Sequence, residues 1–156
     1  MRYGVPQQGK GVGDGVSVEY FEVELSRVVE TVRRVLEGVD YVVAAVVFGS
    51  VLRRRLVRDV DVGVLARRPL TIREVAELSS KLEEALGVGV DVVPLAEVPP
   101  HLRFKALSEG VRALVRDPPY YHYVLSESFM ELVDLDVALT YSARLRRGSE
   151  APGGSP

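Results

Sequence analysis

Cysteine is absent from this 156-residue chain, which excludes structural disulfides and thiolate metal sites. Histidine occurs only at His101 and His122, so a histidine-based metal site is not expected. No apolar run reaches the roughly 20 residues that a membrane-spanning helix needs. The N-terminal stretch MRYGVPQQGKGVGDG lacks a hydrophobic signal region. These absences predict a cytoplasmic protein with no membrane partner.

An excess of positive charge is also missing. The chain has 20 Lys and Arg against 22 Asp and Glu, a formal net charge of −2. General nucleic-acid binders usually carry a clear basic excess, so nucleic acid is not an expected partner. The hydrophobic fraction of 47% and this length fit one globular domain with a single core.

Composition divides the chain into three parts. Residues 1–16 are rich in glycine and polar side chains, and we predict that they are flexible. Residues 17–147 carry the regular apolar patterns of a folded domain. Residues 148–156 are rich in glycine, serine and proline and are predicted to form a disordered tail.

Apolar periodicity and helix-boundary residues predict the element order helix, strand, strand, helix, strand, helix, short strand, helix. Predicted strands cover 41–48, 59–65, 88–93 and 111–115; predicted helices lie in the second half of 17–37, at 71–87, at 99–110 and from 118 onward. The pattern indicates an α/β (α+β) domain with a small mixed sheet flanked by helices. We expect the last helix to pack through Leu125, Phe129, Leu132, Val133 and Leu139.

Three aspartates form the first candidate site. Asp59 and Asp61 lie two residues apart at the start of a strand, so both carboxylates face the same side of the sheet. Gly63 continues this face and leaves room for a ligand. If the strand that holds Asp91 pairs with this one, its carboxylate joins them. Three carboxylates this close repel each other, and a bound proton or cation relieves the repulsion. Carboxylate oxygens are hard ligands, which favour Mg²⁺ or Mn²⁺.

A glycine and a serine form the second candidate site. Gly49 and Ser50 directly follow a buried valine-rich strand, where a glycine allows the backbone to approach a phosphate. Ser50 has the alternative role of a helix cap. The basic stretch between this pair and the acidic pair contains arginines that could neutralise a triphosphate, and we select Arg53 and Arg58 as nucleotide-binding residues.

The segment from Val46 to Arg53, followed by Arg58-Asp59-Val60-Asp61-Val62, resembles the signature of the polymerase beta-like nucleotidyltransferase superfamily, within it the minimal nucleotidyltransferases. In that pattern a Gly-Ser is followed by Asp-x-Asp, and a third Asp lies on a later strand. Gly49-Ser50, Asp59, Asp61 and Asp91 occupy these places. The interval before Asp59 is shorter than the commoner family spacing, and Arg58 stands where the family usually has serine.

The resemblance implies a nucleotidyltransferase fold and an enzyme that uses ATP and two Mg²⁺ ions, with Mn²⁺ as an alternative metal. It implies that Asp59, Asp61 and Asp91 are catalytic and bind the metal, with Asp91 helping to deprotonate the acceptor hydroxyl. Minimal nucleotidyltransferases are commonly antitoxins of a helical HEPN-domain toxin, and some transfer AMP to a tyrosine of that toxin.

Alternatives stay open from the sequence. The chain could neutralise a toxin by contact alone, with a weak or vestigial nucleotide site, or it could modify another acceptor. A homodimer is also open, since exposed apolar residues on the last helix would indicate a second copy or a toxin partner. Asp134 and Asp136 repeat the Asp-x-Asp spacing, but in a helix these side chains diverge, so we interpret them as a polar face.

Overall fold

A computed structural model describes residues 6–8 and 19–149 of the chain. Apart from Pro6–Gln8, the segment 1–16 that we predicted to be flexible lies outside the described residues, as do residues 150–156 of the predicted tail. Pro6–Gln8 forms a strand, and Gly148 and Ser149 belong to the last helix.

The central sheet has four strands in the order β6-β5-β3-β7. Its strands are β3 (Ala44–Phe48), β5 (Asp59–Leu65), β6 (Gly89–Pro94) and β7 (Val111–Val115). The β5–β6 pair is parallel, whereas β3 runs antiparallel to both β5 and β7. The predicted small mixed sheet is thus confirmed, and all four of its strands fall where the valine patterns predicted them.

Helices cover both faces of this sheet. α1 (Leu25–Glu37) and α2 (Ile72–Leu86) pack on the face that carries Val60, Val62 and Val64. The opposite face packs against α3 (Pro100–Glu109) and the first turns of α4 (Pro118–Ser149), with Tyr121 fully buried there. Strict alternation in β5 therefore directs its valines to one helix layer and its aspartates to the other side.

The predicted boundaries of α2 are confirmed in detail. The Thr71 hydroxyl accepts a hydrogen bond from the Glu74 amide, and the Glu74 carboxylate accepts one from the Thr71 amide. This reciprocal pair satisfies amides that the helix itself cannot satisfy. Gly87 ends the helix in the left-handed conformation at φ 71°.

A second, three-stranded antiparallel sheet was not predicted. It has the order β1-β2-β4 and consists of β1 (Pro6–Gln8), β2 (Glu19–Glu22) and β4 (Leu56–Val57). Phe21 pairs with Val57, and the amide of Val23 donates to the carbonyl of Arg55. This sheet attaches the arginine-rich segment that precedes Asp59 to the N-terminal part of the domain.

The expected apolar side of α4 is only partly correct. Leu125 and Leu132 are half-buried, but Phe129, Val133 and Leu139 are exposed. The helix packs on α3 through its first turns and then extends beyond the domain, so the later side chains meet no core. Within the described residues, no helix is both long and apolar enough to cross a membrane.

Candidate metal and nucleotide site

The three predicted acidic residues lie on one face of the two parallel strands. In the register of β5 and β6, Asp61 is the partner of Asp91, and Asp59 is the partner of Gly89. Neighbouring strands are about 4.8 Å apart, so Asp61 and Asp91 project side by side from the sheet. The strand that carries Asp91 does pair with β5, which is the condition under which the sequence predicts that its carboxylate joins the other two.

The two carboxylates of β5 nevertheless lean in different directions. A Cβ atom added at Gly49 would lie 2.2 Å from Oδ2 of Asp61, so this oxygen lies against the turn that follows β3. A Cβ atom added at Gly89 would lie 2.5 Å from Oδ1 of Asp59, so that oxygen lies against β6. In the part of the chain that the structure describes, no three acidic or histidine side chains gather at one point. Side-chain rotation is needed before the aspartates can share an ion.

Asp61 has the most perturbed carboxylate of this group. Its pKa is raised to about 6, first because the side chain is half-buried and then because of the negative charges of Asp91 and Asp59. A cation among these oxygens would relieve both effects. The donor set of three hard oxygen ligands on two adjacent strands therefore fits Mg²⁺ or Mn²⁺ in chemistry and in placement on the sheet.

Gly63 does not have its predicted role of leaving room for a ligand. A Cβ atom at this position would lie 2.8 Å from Cδ1 of Leu95, which comes from the short 3-10 turn after β6. Leu95 is fully buried and covers the β5 backbone beyond the carboxylates. It therefore closes the inner end of the acidic face, and a ligand reaches only the end that carries Asp59, Asp61 and Asp91.

The Gly49-Ser50 pair begins a 3-10 turn, Gly49–Leu52, directly after β3. Gly49 has φ 82°, a conformation that a side chain would strain. The residue that caps this turn is Phe48, without a side-chain cap hydrogen bond, so Ser50 is not its cap. The Ser50 side chain is exposed, while its carbonyl accepts hydrogen bonds from the amides of Arg53 and Arg54.

Two adjoining clefts of 350 Å³ each meet at this turn and share Ser50 and Arg54. The first holds the acidic residues and is lined by Tyr20, Ser50, Arg54, Leu56, Val57, Arg58, Asp59 and Asp61. The second is lined by Phe48, Gly49, Ser50, Leu52, Arg53, Arg54, Lys105 and Glu109. Asp91 is exposed but lines neither of these two clefts.

The arginines divide between these clefts. Arg58 lines the acidic cleft, whereas Arg53 lines the second one and lies 4.0 Å from the carboxylate of Glu109. Sequence reasoning counted Arg54 among the candidate arginines of the basic stretch but did not select it, and it missed Lys105. Arg54 lines both clefts, and Lys105 lines the second cleft from α3. Arg54 is one of three consecutive arginines, and nothing in the sequence shows which of the three faces a ligand. Lys105 belongs to no recognisable sequence motif. Only the folded turn shows which cations face the clefts.

The arrangement places acidic and basic side chains around the exposed Ser50: Asp61 is half-buried, whereas Asp59, Arg54 and Lys105 are exposed. Carboxylates on β5 and β6 suit a divalent cation, and the guanidinium of Arg54 with the ammonium of Lys105 suits phosphate oxygens. A ligand that carries both a cation and several phosphates matches this charge pattern.

Comparison with known proteins agrees with the geometry. The family model described as "Polymerase beta, Nucleotidyltransferase" matches residues 30–119, a range that includes the acidic strands and the Gly49 turn. No relative is found among curated protein sequences.

Solved structures share the fold at low sequence identity. A chain of the MntA–HepT toxin–antitoxin crystal structure is 18% identical with a TM-score of 0.62, covering 76% of this chain and 96% of that one. A chain of the tri-AMPylated Shewanella oneidensis HEPN toxin in complex with MNT antitoxin is 19% identical with a TM-score of 0.62, covering 76% and 95%. A chain of a toxin–antitoxin with AMP-PNP is 20% identical with a TM-score of 0.63, covering 74% and 95%.

Proposed function

The chain belongs to the polymerase beta nucleotidyltransferase family, and we propose that it transfers AMP from ATP to a hydroxyl group of a HEPN-type toxin protein. The observation that carries the proposal is the in-register pair of Asp61 and Asp91 beside the turn of Gly49 and Ser50. This geometry brings acidic side chains suited to a divalent cation next to a polar turn suited to phosphates. The similar toxin–antitoxin structures support AMP and a HEPN protein as the nucleotide and the partner.

Asp59, Asp61 and Asp91 would hold the divalent ions, which supply charge neutralisation at the reacting phosphate. The Gly49 backbone and the Ser50 hydroxyl bind the β and γ phosphates. Arg54, Arg58 and Lys105 are the nearby cations that neutralise the triphosphate and the departing pyrophosphate. This set keeps Arg58 from the sequence prediction and adds Arg54 and Lys105. It leaves out Arg53, which the sequence prediction includes and whose guanidinium lies 4.0 Å from the carboxylate of Glu109.

In the transfer step, the acceptor oxygen forms a bond with the α-phosphorus and the bond from that phosphorus to the β-phosphate oxygen breaks. Pyrophosphate leaves, and the hydroxyl proton passes to the carboxylate of Asp91. β6 is an edge strand of the sheet, and Asp91 is exposed on it. A protein acceptor can therefore approach Asp91 from outside the domain.

A second candidate function is neutralisation of the toxin by contact, with little or no transfer. It is favoured by the orientation of the carboxylates, since Asp59 and Asp61 lean apart and no three acidic side chains gather at one point within the described residues. Enzymatic transfer requires these side chains to rotate when the metal and nucleotide bind.

Calorimetric titration with ATP and Mg²⁺ provides the first test, followed by intact-mass analysis of a HEPN-type toxin protein after incubation with this chain, ATP and Mg²⁺. Binding by the native chain and addition of AMP to that protein support the proposal; both should vanish in an Asp59→Asn/Asp61→Asn variant. A Glu77→Gln/Glu84→Gln variant removes the same charge from exposed positions on α2 and should behave like the native chain. If the native chain is well folded but does not bind ATP, the enzymatic proposal is overturned and neutralisation of the toxin by contact remains.

A further inference from the structure

The outer half of α4 has no counterpart in the family range. The family model ends at residue 119, whereas α4 continues to Ser149. Its first turns are anchored: Tyr121, Val124 and Ser128 are buried, and the Phe129 ring lies 5.6 Å from the ring of Phe104. Among residues 134–149, every side chain except the half-buried Ala143 is exposed. At 1.5 Å per residue, the segment 134–149 extends roughly 24 Å from the domain.

This outer segment is rich in exposed apolar side chains. Leu135 is 53% exposed, Val137 61%, Leu139 58%, Tyr141 64% and Leu145 58%. Successive residues of a helix are about 100° apart, so Val137 and Leu139 lie on nearly opposite sides. A helix that is apolar on all sides is normally buried, and a short helix without packing is marginal in water. The outer half of α4 therefore requires a covering partner.

The charges of the segment indicate which partner this is. Asp134 and Asp136 lie at its inner end, and Arg144, Arg146 and Arg147 lie at its outer end. If two copies of the helix align antiparallel, the acidic end of each lies beside the basic end of the other. A parallel alignment would oppose like charges. An antiparallel pair is also a two-fold symmetric contact, the commonest arrangement of homodimers.

We propose that a second copy of this chain packs antiparallel against residues 134–149 of α4, with Leu139 close to the two-fold axis. The pair covers the apolar side chains on the facing sides of both helices and brings Asp134 and Asp136 next to the arginines of the second copy. The contact does not involve the acidic residues of β5 and β6. Its test is therefore separate from the test of nucleotide binding.

Sedimentation equilibrium of the full chain tests the contact. We expect a dimer at concentrations of about 10 µM, corresponding to a Kd near or below that value. A Leu139→Asp variant places two like charges near the axis, and the dimer Kd should rise at least about tenfold. Ile72→Asp is the matched control because Ile72 is 91% exposed on α2, far in sequence from the contact; its dimer should be unchanged.

Charge reversal distinguishes an antiparallel pair from other contacts. An Asp134→Arg/Asp136→Arg variant and an Arg144→Asp/Arg147→Asp variant should each be monomeric at low salt. Mixed in equal amounts they should form a heterodimer, which also demonstrates that both variants are folded. A native chain that stays monomeric at about 100 µM, or reversed variants that dimerise like the native chain, would overturn the proposal and leave a different protein as the occupant of α4.

Discussion

The carboxylate of Asp61 lies directly above the α-carbon of Gly49. A Cβ atom at Gly49 would approach Oδ2 of Asp61 to 2.2 Å, and the backbone there has φ 82°. The acidic strand and the turn beside it therefore fit together only when residue 49 has no side chain. This contact joins the two halves of the candidate site.

Replacement of this glycine should damage both halves. We predict that Gly49→Ala lowers the free energy of unfolding by about 1–3 kcal/mol through backbone strain and displacement of Asp61. It should also weaken binding of ATP at least about tenfold. Denaturant unfolding and calorimetry measure the two effects. Gly38→Ala is the control, because φ is −80° there and the nearest atom to an added Cβ is 3.8 Å away; equal effects of both changes would contradict the prediction.

The raised pKa of Asp61 predicts a particular pH dependence without metal. The pKa of Asp61 is about 6 in the folded chain, whereas an unfolded aspartate has a pKa of about 3.9, so a proton on this carboxyl favours the folded state. This stabilisation of the fold is fully present below about pH 4 and is lost as pH rises through about 6. Asp61→Asn should remove this loss, and near pH 7 in EDTA the variant should be more stable than the native chain by about 1 kcal/mol, a value discounted for solvent screening.

Thermal unfolding between pH 4 and pH 7 measures that difference. Mg²⁺ should stabilise the native chain but leave Asp61→Asn nearly unchanged, because the variant loses one of the carboxylates. Asp40→Asn removes an exposed carboxylate away from the site and serves as the control. If Asp61→Asn and the native chain lose stability in parallel over this pH range, Asp61 is not the group responsible.

Arg54 and Arg55 are adjacent but should differ in function. Arg54 lines both clefts of the site, whereas Arg55 lines neither. Arg54→Ala should therefore weaken ATP binding at least about tenfold, the effect of losing one charge-assisted contact with phosphate. Arg55→Ala should change the Kd by less than about twofold. A titration of each variant decides between them, and equal losses would mean that only the overall charge of the loop matters.

Arg116 should be important for stability but not for nucleotide binding. Its guanidinium donates to the carbonyls of Val39 and Val42 at 2.6 and 2.7 Å and also to carbonyls at the end of α1. Arg116→Met removes these hydrogen bonds. The carbonyls of Leu36 and Val39 keep a backbone amide donor, but those of Val42 and Glu37 lose the guanidinium, and the change should cost about 2 kcal/mol or more. Arg33→Met, which breaks only an exposed pair with Glu37, should cost less than about 0.5 kcal/mol. Urea unfolding of both variants tests the difference, with ATP affinity expected to stay unchanged.

The central sheet could be predicted because its signals are local. Strand β5 begins and ends where the Val60, Val62, Val64 alternation predicts, and the capping box at Thr71 fixes the start of α2. From the sequence, Asp91 is expected beside Asp61 only on the condition that the two strands pair, and the register that aligns them comes from the structure. The roles of these aspartates as metal ligands stay predictions.

The remaining features depend on contacts that no local pattern contains. β2 and β4 are short, and Phe21 becomes a strand residue through its pairing with Pro6 and Val57. Leu95 fills the space above Gly63 from a turn on another strand. α4 carries apolar residues both before and after Val133, so the sequence cannot show where the core ends and exposure begins.

The small sheet β1-β2-β4 has a consequence for the loop that carries the arginines. The carbonyl of Arg55 accepts from the amide of Val23, Val57 pairs with Phe21, and the carbonyl of Ser50 accepts from the amides of Arg53 and Arg54. Ordering a residue costs roughly 1–2 kcal/mol of backbone entropy. In this chain the loop is ordered when the domain folds, so nucleotide binding does not have to supply the free energy of ordering it.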